Sequence, residues 1–280
     1  MADVKVLIDA DSIIYRAGFA AERSKYLVES STEGLEPMNR AYSPFDDAKT
    51  AKQAAAQAVG SIVWSRKELE PVENANLMLD LFLKGILEAC NATKSQCVLY
   101  LTPSVGNFRD GIAMRAKYKG NRDTQARPTH FKALQRRIIE VHGAVFAEGE
   151  EADDAIGVAI STDKQATMVH IDKDLDQLPG YHYNWVDKTS YEVTPQQGVT
   201  YHYQQTLSGD AGDNIPGIDG VGPVGAAKIL DGAKTPAECW KRVLEAYTKT
   251  YSVDGPAFAL EAARLTHIRR KAGQIWQPPK

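Results

Sequence analysis

The chain has 280 residues, 43% hydrophobic and 25% charged, with a formal net charge of −3. That composition suits a soluble globular protein of one large domain, or one domain with an appendage, whose core folds without disulfides or a structural metal. Cys90, Cys97 and Cys239 show no CxxC spacing, the start MADVKVLIDADS has no basic region ahead of a long apolar run, and no window has the apolar length of a membrane span. The expectation is a cytoplasmic protein with reduced thiols and no membrane partner.

In chain order, VKVLIDA is a short β-branched run ending at Asp9, the pattern of a buried strand. DSIIYRAGFAAER comes next as a helix capped by Asp11 or Ser12. Residues 24–71 mix Ser, Glu and Pro with an Ala/Gln-rich piece and read as a partly helical insertion. ENANLMLDLFLKGILEACN is a helix, with Leu77, Leu81, Ile86 and Cys90 marking its buried face. QCVLYLT is a second strand, and PTHFKALQRRIIEVHG is a helix with Pro128 near its start and Gly143 past its end. AVFAEG is a short strand, EADDAIGVAIS a helix with acids in its first turn, and ATMVHID a strand ending at Asp172. YHYNWVD and SYEVT form a strand or a hairpin.

Strands alternating with helices specify an α/β fold with a mostly parallel central sheet flanked by helices. Ligands of such sheets bind outside the carboxyl ends of the strands. Asp9, the residues after Leu101, Glu150, Glu151 and Asp172 all fall at such ends. After Thr194 the pattern turns helical around a Gly-rich turn, which divides the chain into an α/β core, 1–207, and a helical region, 208–280.

Charge is segregated along the chain. Nine basic residues stand against two acidic ones from Arg109 to Arg137, and nine acids against two lysines from Glu148 to Asp176. One block suits a polyanion and the other suits metal cations. GEEADDAIG places Glu150, Glu151, Asp153 and Asp154 within five residues. One or two acids there would simply complement the helix dipole, but four repel one another. HIDKDLDQL adds Asp172 and Asp174, the latter also a natural N-cap, and SGDAGDNIPG adds Asp210 and Asp213, which a polar turn would also explain. With Asp9 these make eight carboxylates without accompanying His or Cys: Asp9, Glu151, Asp153, Asp154, Asp172, Asp174, Asp210 and Asp213. Such hard oxygen ligands favour magnesium or manganese over zinc, and two such ions can flank a phosphodiester.

In NIPGIDGVGPVGAAKIL, Gly217, Gly220, Gly222 and Gly225 permit tight turns and close approach to another molecule. The next helix, carrying Lys228, presents turn amides suited to DNA phosphates, and a monovalent cation on the turn carbonyls would add to the site. NFRDGIAMRAKYKGNRD clusters Arg109, Arg115, Lys117, Lys119 and Arg122, with Phe108 and Tyr118 interleaved. Basic residues bind phosphate and an aromatic can stack on a base, although a solvated basic helix face has the same composition.

LIDADSIIYR, NFRDGIAMRAKYKGNRD, GEEADDAIG, IDKDLDQL and SGDAGDNIPGIDGVGPVGAAKIL, in this order, give the chain its resemblance to the 5′ nuclease family. That family comprises phage 5′→3′ exonucleases, flap endonucleases and the nuclease domain of bacterial DNA polymerase I. The resemblance covers most of Val4–Leu230, and in overall size the chain looks most like a stand-alone phage exonuclease. It implies a PIN-like core with a helical arch over residues 105–130 and a helix–three-turn–helix element that grips duplex DNA and holds potassium. It implies Asp9, Glu151 and Asp153 as ligands of a first metal, with Asp154 near it through water, and Asp172, Asp174, Asp210 and Asp213 as the second-metal group. Lys119 matches the arch lysine at the scissile phosphate, supported by Arg122, and Tyr118 matches a stacking residue. Where the family carries Asp at the end of the second strand, this chain has Thr102 or Pro103, and Ala10 comes after Asp9 where Gly is common. A threonine hydroxyl would hold the first metal more weakly, so manganese would serve better than magnesium.

The resemblance therefore implies a two-metal 5′→3′ exodeoxyribonuclease, with flap endonuclease and RNase H-like activity within its range, which leaves 5′-phosphates. Its substrate would be duplex DNA with a 5′ end or flap. It would act as a monomer in bacterial or phage replication or recombination, beside a polymerase, in a bacterial or host cytoplasm. Two other readings fit parts of the sequence. DADS and GDAGDN mimic the loops of a haloacid-dehalogenase-type phosphatase, with Asp9 as nucleophile, but leave EADD, DKD and the Gly-rich turn without work. A non-catalytic DNA-binding homologue would account for the missing acid at Thr102 but not for the acids that remain.

Overall fold

The structure, a computed structural model, describes residues 5–30, 41–45, 53, 60–122 and 126–279. It consists of two compact units: Met1–Ser12, Lys84–Ala126 and Ile139–Lys280 form the first, and Ile13–Leu83 with Arg127–Ile138 form the second. Residues 208–280, set apart by their helical pattern, fall in the first unit together with the sheet.

Strand β1 (Val6–Asp9) is buried along its whole length, as its unbroken apolar run requires of a central strand covered on both faces. It leads into helix α1 (Asp11–Ala20). In the second unit, β2 (Glu22–Ser30), β3 (Ala41–Phe45) and β4 (Gly60–Leu69) form an antiparallel sheet in the order β3-β2-β4, with an irregularity at Leu27/Val28. Most of the described residues of the insertion are thus in strands, which the sequence did not announce; most of its Ala/Gln-rich piece, the part expected to be helical, lies outside the described residues, and Gln53 within it is helical. Also in this unit, Gly18 of α1 lies so close to Pro128 that a Cβ would approach the proline Cβ to 2.5 Å.

Helix α2 (Val72–Ala89) buries Ala75, Leu79, Leu83 and Ile86, a stripe at near four-residue spacing. Leu77 and Leu81, expected inside, are 57% and 50% exposed. Then come β5 (Cys97–Leu101), helix α3 (Phe131–Glu140) and β6 (Val145–Phe146). Next are helix α4 (Ala152–Thr162), β7 (Thr167–His170), and the hairpin β8 (Gly180–Asn184) and β9 (Thr189–Val193). The six-stranded sheet of the first unit runs β6-β5-β1-β7-β8-β9, parallel except for the last pair. Ile8 of β1 pairs with Leu99 of β5 and Val169 of β7, so three strands end at one edge. Helix α4 covers this sheet through Ile156 and Ile160 against Leu7, Met168 and Leu178.

The chain continues through helix α5 (Pro195–Ser208), the short pair β10 (Gly209–Asp210) and β11 (Ile215–Pro216), and helices α6 (Pro223–Leu230), α7 (Pro236–Tyr251) and α8 (Gly255–Thr266). A second core, centred on Tyr203, Leu207, Trp240, Val243, Tyr247 and Trp276, joins these helices. Tyr247, fully buried, donates its hydroxyl proton to the Thr206 carbonyl at 2.7 Å. Among the described residues, no helix is long and apolar enough to cross a membrane.

Candidate metal centre at the strand ends

Parallel strands deliver their next residues to one edge of the sheet, and there the acids collect. Asp9 closes β1, and its Oδ1 accepts the Asp11 N–H at 3.2 Å. Glu151 and Asp153 open α4, while Asp172 comes after β7 and accepts the Asp174 N–H at 2.9 Å in the 3-10 turn Lys173–Gln177. Asp210 lies in β10, and its Oδ1 accepts the N–H groups of Gly212 at 2.7 Å and Asp213 at 3.2 Å.

These carboxylates act electrostatically as one group. Burial, then Asp11 and Asp172, holds Asp9 well above the usual carboxylate range. Burial, then Glu151, Asp172 and Asp9, does the same to Asp153. Burial, then Asp172, Asp210 and Asp213, pushes Asp174 up to about 8. Cations are paired into the group, among them Lys119 and Arg122. Lys119 Nζ lies 2.6 Å from Glu151 Oε1 and 3.5 Å from Asp213 Oδ2, and Arg122 pairs with Asp213. Lys119 has a left-handed backbone, φ 51°, and its N–H donates to the Asp213 carbonyl at 2.8 Å. A non-glycine residue in that conformation is held there by its surroundings, and such residues cluster at functional sites.

The residue at the missing carboxylate has a different task from the one expected. Thr102 accepts the Ala152 N–H on its hydroxyl at 3.1 Å, and so caps α4. Its own N–H donates to Asp11 Oδ2 at 2.9 Å, and its hydroxyl also bonds Asp11. Asp11 is thereby turned into the acidic group, where Glu151 is among its electrostatic neighbours; its part there is more than that of a helix cap. The signal was present in the spacing DAD, but capping explained it.

Asp154 is not among the acids open to a metal. It is fully buried, and Arg109 grips it with two bonds, of 2.6 and 3.0 Å. The N–H groups of Glu151 and Arg269 donate to it as well. This also corrects the reading of Arg109 as a DNA contact, since it is 2% exposed and its remaining donors go to the Leu265 and His267 carbonyls. Phe108, read as a stacking aromatic, lies between two guanidinium groups, with Arg269 Cζ 3.4 Å and Arg109 Cζ 4.6 Å from its ring centre. Tyr118 is buried too, its hydroxyl 2.9 Å from Asp213 Oδ2 and 3.1 Å from Glu151 Oε2, so it braces the acids and offers no face for a base. Arg115 is half-buried, bonding the Pro216 and Gly217 carbonyls and lying over Phe258. Lys117 and Arg122 are exposed. The expected helical arch takes the form of two single 3-10 turns, Phe108–Gly111 and Gly120–Arg122, among the described residues.

In the Gly-rich turn the glycines divide by role. Gly217 packs backbone to backbone, since a Cβ there would lie 2.3 Å from the Gly209 nitrogen. Gly220 (φ 76°) and Gly222 are exposed, Gly222 caps α6, and Gly225 and Lys228 lie within that helix, Lys228 exposed. Sequence reasoning also missed two positioning amides. Asn107 Nδ2 donates to Glu151 Oε1 at 2.7 Å, and Gln205 Nε2 donates to Asp174 Oδ1 at 2.6 Å. Gln177 in turn donates to Gln205 Oε1, and it is fully buried.

No protein-family model matches the chain. Among curated proteins, it is 29% identical over 171 residues to DNA polymerase I of Deinococcus radiodurans, which covers 53% of this chain and 17% of that one. Flap endonuclease Xni of Shewanella baltica is 35% identical over 112 residues, covering 35% of this chain and 42% of the relative. Both matches agree with the resemblance to the 5′ nuclease family carried by the motifs. The chain spans less than half the length of either relative. Among solved structures, the T5 5′-exonuclease with bound zinc superposes with a TM-score of 0.56 at 14% identity, over 94% of this chain and 88% of that one. That likeness places the chain in the same fold.

Proposed function

We propose that this chain is a member of the 5′ nuclease family, a divalent-metal-dependent 5′→3′ nuclease that hydrolyses phosphodiesters of duplex DNA bearing a 5′ end or flap. The observation that carries the reading is the group of eight carboxylates, Asp9, Asp11, Glu151, Asp153, Asp172, Asp174, Asp210 and Asp213, held at the strand ends with Lys119 among them. Folding carboxylates together until several rise far above their ordinary range is costly unless cations join them. The donors are all oxygen, which fits magnesium or manganese. Asp9, Asp11, Glu151 and Asp153 would hold one ion, and Asp172, Asp174, Asp210 and Asp213 the second.

Bound ions supply an activated water and neutralise charge on the phosphodiester. The chain's own contribution is placement. Lys119, drawn in by Glu151 and Asp213, offers a positive charge where a phosphate would develop negative charge. Arg122, exposed beside Asp213, gives a second such charge. Exposed Gly220 and Gly222 at the start of α6, with Lys228 on it, suit the backbone of a duplex. Potassium at this turn and a replication polymerase as partner extend the same proposal. The names of the relatives support DNA as substrate and the 5′ polarity.

The test is a duplex with a 5′ overhang or flap, labelled at either end, incubated in EDTA, magnesium or manganese with the chain and an Asp153→Asn variant. Metal-dependent release from the 5′ end, absent in the variant, is expected. Tight binding without cleavage under every metal would favour a non-catalytic DNA-binding protein instead.

A further inference from the structure

Next to the acidic group but outside it, His170 at the end of β7 and His182 in β8 lie on one face of the sheet, because Met168 pairs with His182 and His170 is two residues on from Met168. Both imidazoles are 1% exposed. Nε2 of His170 and Nδ1 of His182 are 2.8 Å apart, and Nε2 of His182 is 2.9 Å from the Leu178 carbonyl. One ligand atom from each histidine and a carboxylate oxygen of Asp176 all lie within 4.8 Å of one another. Tyr191 stacks on His182 at 5.0 Å and donates its hydroxyl proton to Asp176 Oδ1 at 2.7 Å.

Proton bookkeeping in this pair leaves a gap. The Leu178 carbonyl only accepts, so His182 carries its proton on Nε2 and bares a lone pair on Nδ1. His170 must then donate from Nε2, which leaves its Nδ1 a buried lone pair with no hydrogen-bond partner. A buried polar atom without a partner is costly, and native structures seldom keep one without a reason. A cation between Nε2 of His170 and Nδ1 of His182 removes the mismatch. His182 keeps its proton on the carbonyl, the usual outer partner of a metal-bound imidazole. His170 carries its own on Nδ1, beside the Asp172 backbone.

We propose that His170, His182 and Asp176 form a separate site for a zinc-class divalent ion, which ties the Lys173–Gln177 turn, and Asp174 on it, to strands β7 and β8. Two imidazoles and one carboxylate, with water as fourth ligand, are a zinc-class donor set; magnesium and calcium prefer oxygen alone. The Asp176 and Tyr191 side is the more exposed one, and gives an ion its way in.

The test is cobalt(II) titration of the full chain in excess magnesium, followed by visible absorption and then by displacement with zinc, on the wild type and on Asp153→Asn, His182→Gln and Asp176→Asn variants. One equivalent is expected to give the intense band of four-coordinate cobalt, unchanged in Asp153→Asn. In Asp176→Asn, whose partly exposed position keeps the fold, affinity should fall about tenfold or more. No band, or a band lost in Asp153→Asn and kept in Asp176→Asn, would overturn the proposal, the latter by placing the ion among the catalytic carboxylates.

Discussion

The Thr102 N–H donates to Asp11 Oδ2 at 2.9 Å, so a backbone group just past the end of β5 holds a carboxylate supplied from the first turn of α1. The position that lacks an acid in the sequence thus holds one in space. Asp11→Asn is expected to weaken manganese binding about 10- to 100-fold, as loss of a coordinating or orienting group does. Thr102→Ser, which keeps both the N–H and the hydroxyl, should bind metal as the wild type does. Calorimetric titration of the two variants checks this, and unaltered binding in Asp11→Asn would remove Asp11 from the site.

Arg109 and Asp154 form a buried pair whose role is to lock residues 265–269 onto the start of α4. Arg109→Met leaves the Asp154 charge buried without its partner and should cost about 3–5 kcal/mol in urea unfolding. Adding Asp154→Leu should recover part of that loss. A stable Arg109→Met variant with weakened DNA binding would return the arginine to the substrate surface.

Tyr118→Phe separates two uses of one ring. A stacking residue would tolerate the change, because phenylalanine stacks as well. A residue that braces Glu151 and Asp213 through its hydroxyl loses hydrogen bonds to charged groups, worth about 1.5–3 kcal/mol. Thermal unfolding beside metal-free DNA binding is expected to show lower stability at unchanged affinity.

Without divalent ions, stability should depend on pH through Asp174. Burial and the neighbouring acids push its pKa up to about 8, above the ordinary value near 4. The folded chain then keeps a proton that the unfolded chain has released, so stability falls as pH rises from about 4 to about 8. Buried His202 and His267, held down at about 4 and about 2 mainly by burial, act the other way below about pH 6.5. The window from about pH 6.5 to 8 is therefore the carboxylates' own. In EDTA, Tm should fall across it, less steeply for Asp174→Asn, and added magnesium should restore it. An identical slope in the variant would remove Asp174 as a cause.

Much of this was legible in the chain. VLID and TMVH lead into acids because buried parallel strands are short apolar runs, and their shared direction gathers the polar residues beyond them at one edge. The gap lay where one residue type serves two ends. Asp11 has the composition of a helix cap, and only the placement of the Thr102 N–H shows that its carboxylate faces the acids. Arg109 and Arg122 look alike in sequence, yet one is buried against Asp154 and the other exposed, a difference set by the distant segment 265–269. In α2, Leu77, Leu79, Leu81 and Leu83 alternate so that more than one helical stripe fits, and packing selected Leu79 and Leu83. The strands of the insertion, ERSKYLVES and GSIVWSRKEL, lack the strict alternation that would have announced them.

If the carboxylates at the strand ends are a divalent-metal centre, ions must bind among them. Anomalous diffraction from crystals grown in manganese would locate those ions without reference to activity. Two manganese peaks are predicted, one against Asp9, Asp11, Glu151 and Asp153, the other against Asp172, Asp174, Asp210 and Asp213. Crystals with manganese elsewhere on the molecule, and none within this group, would contradict a metal centre there.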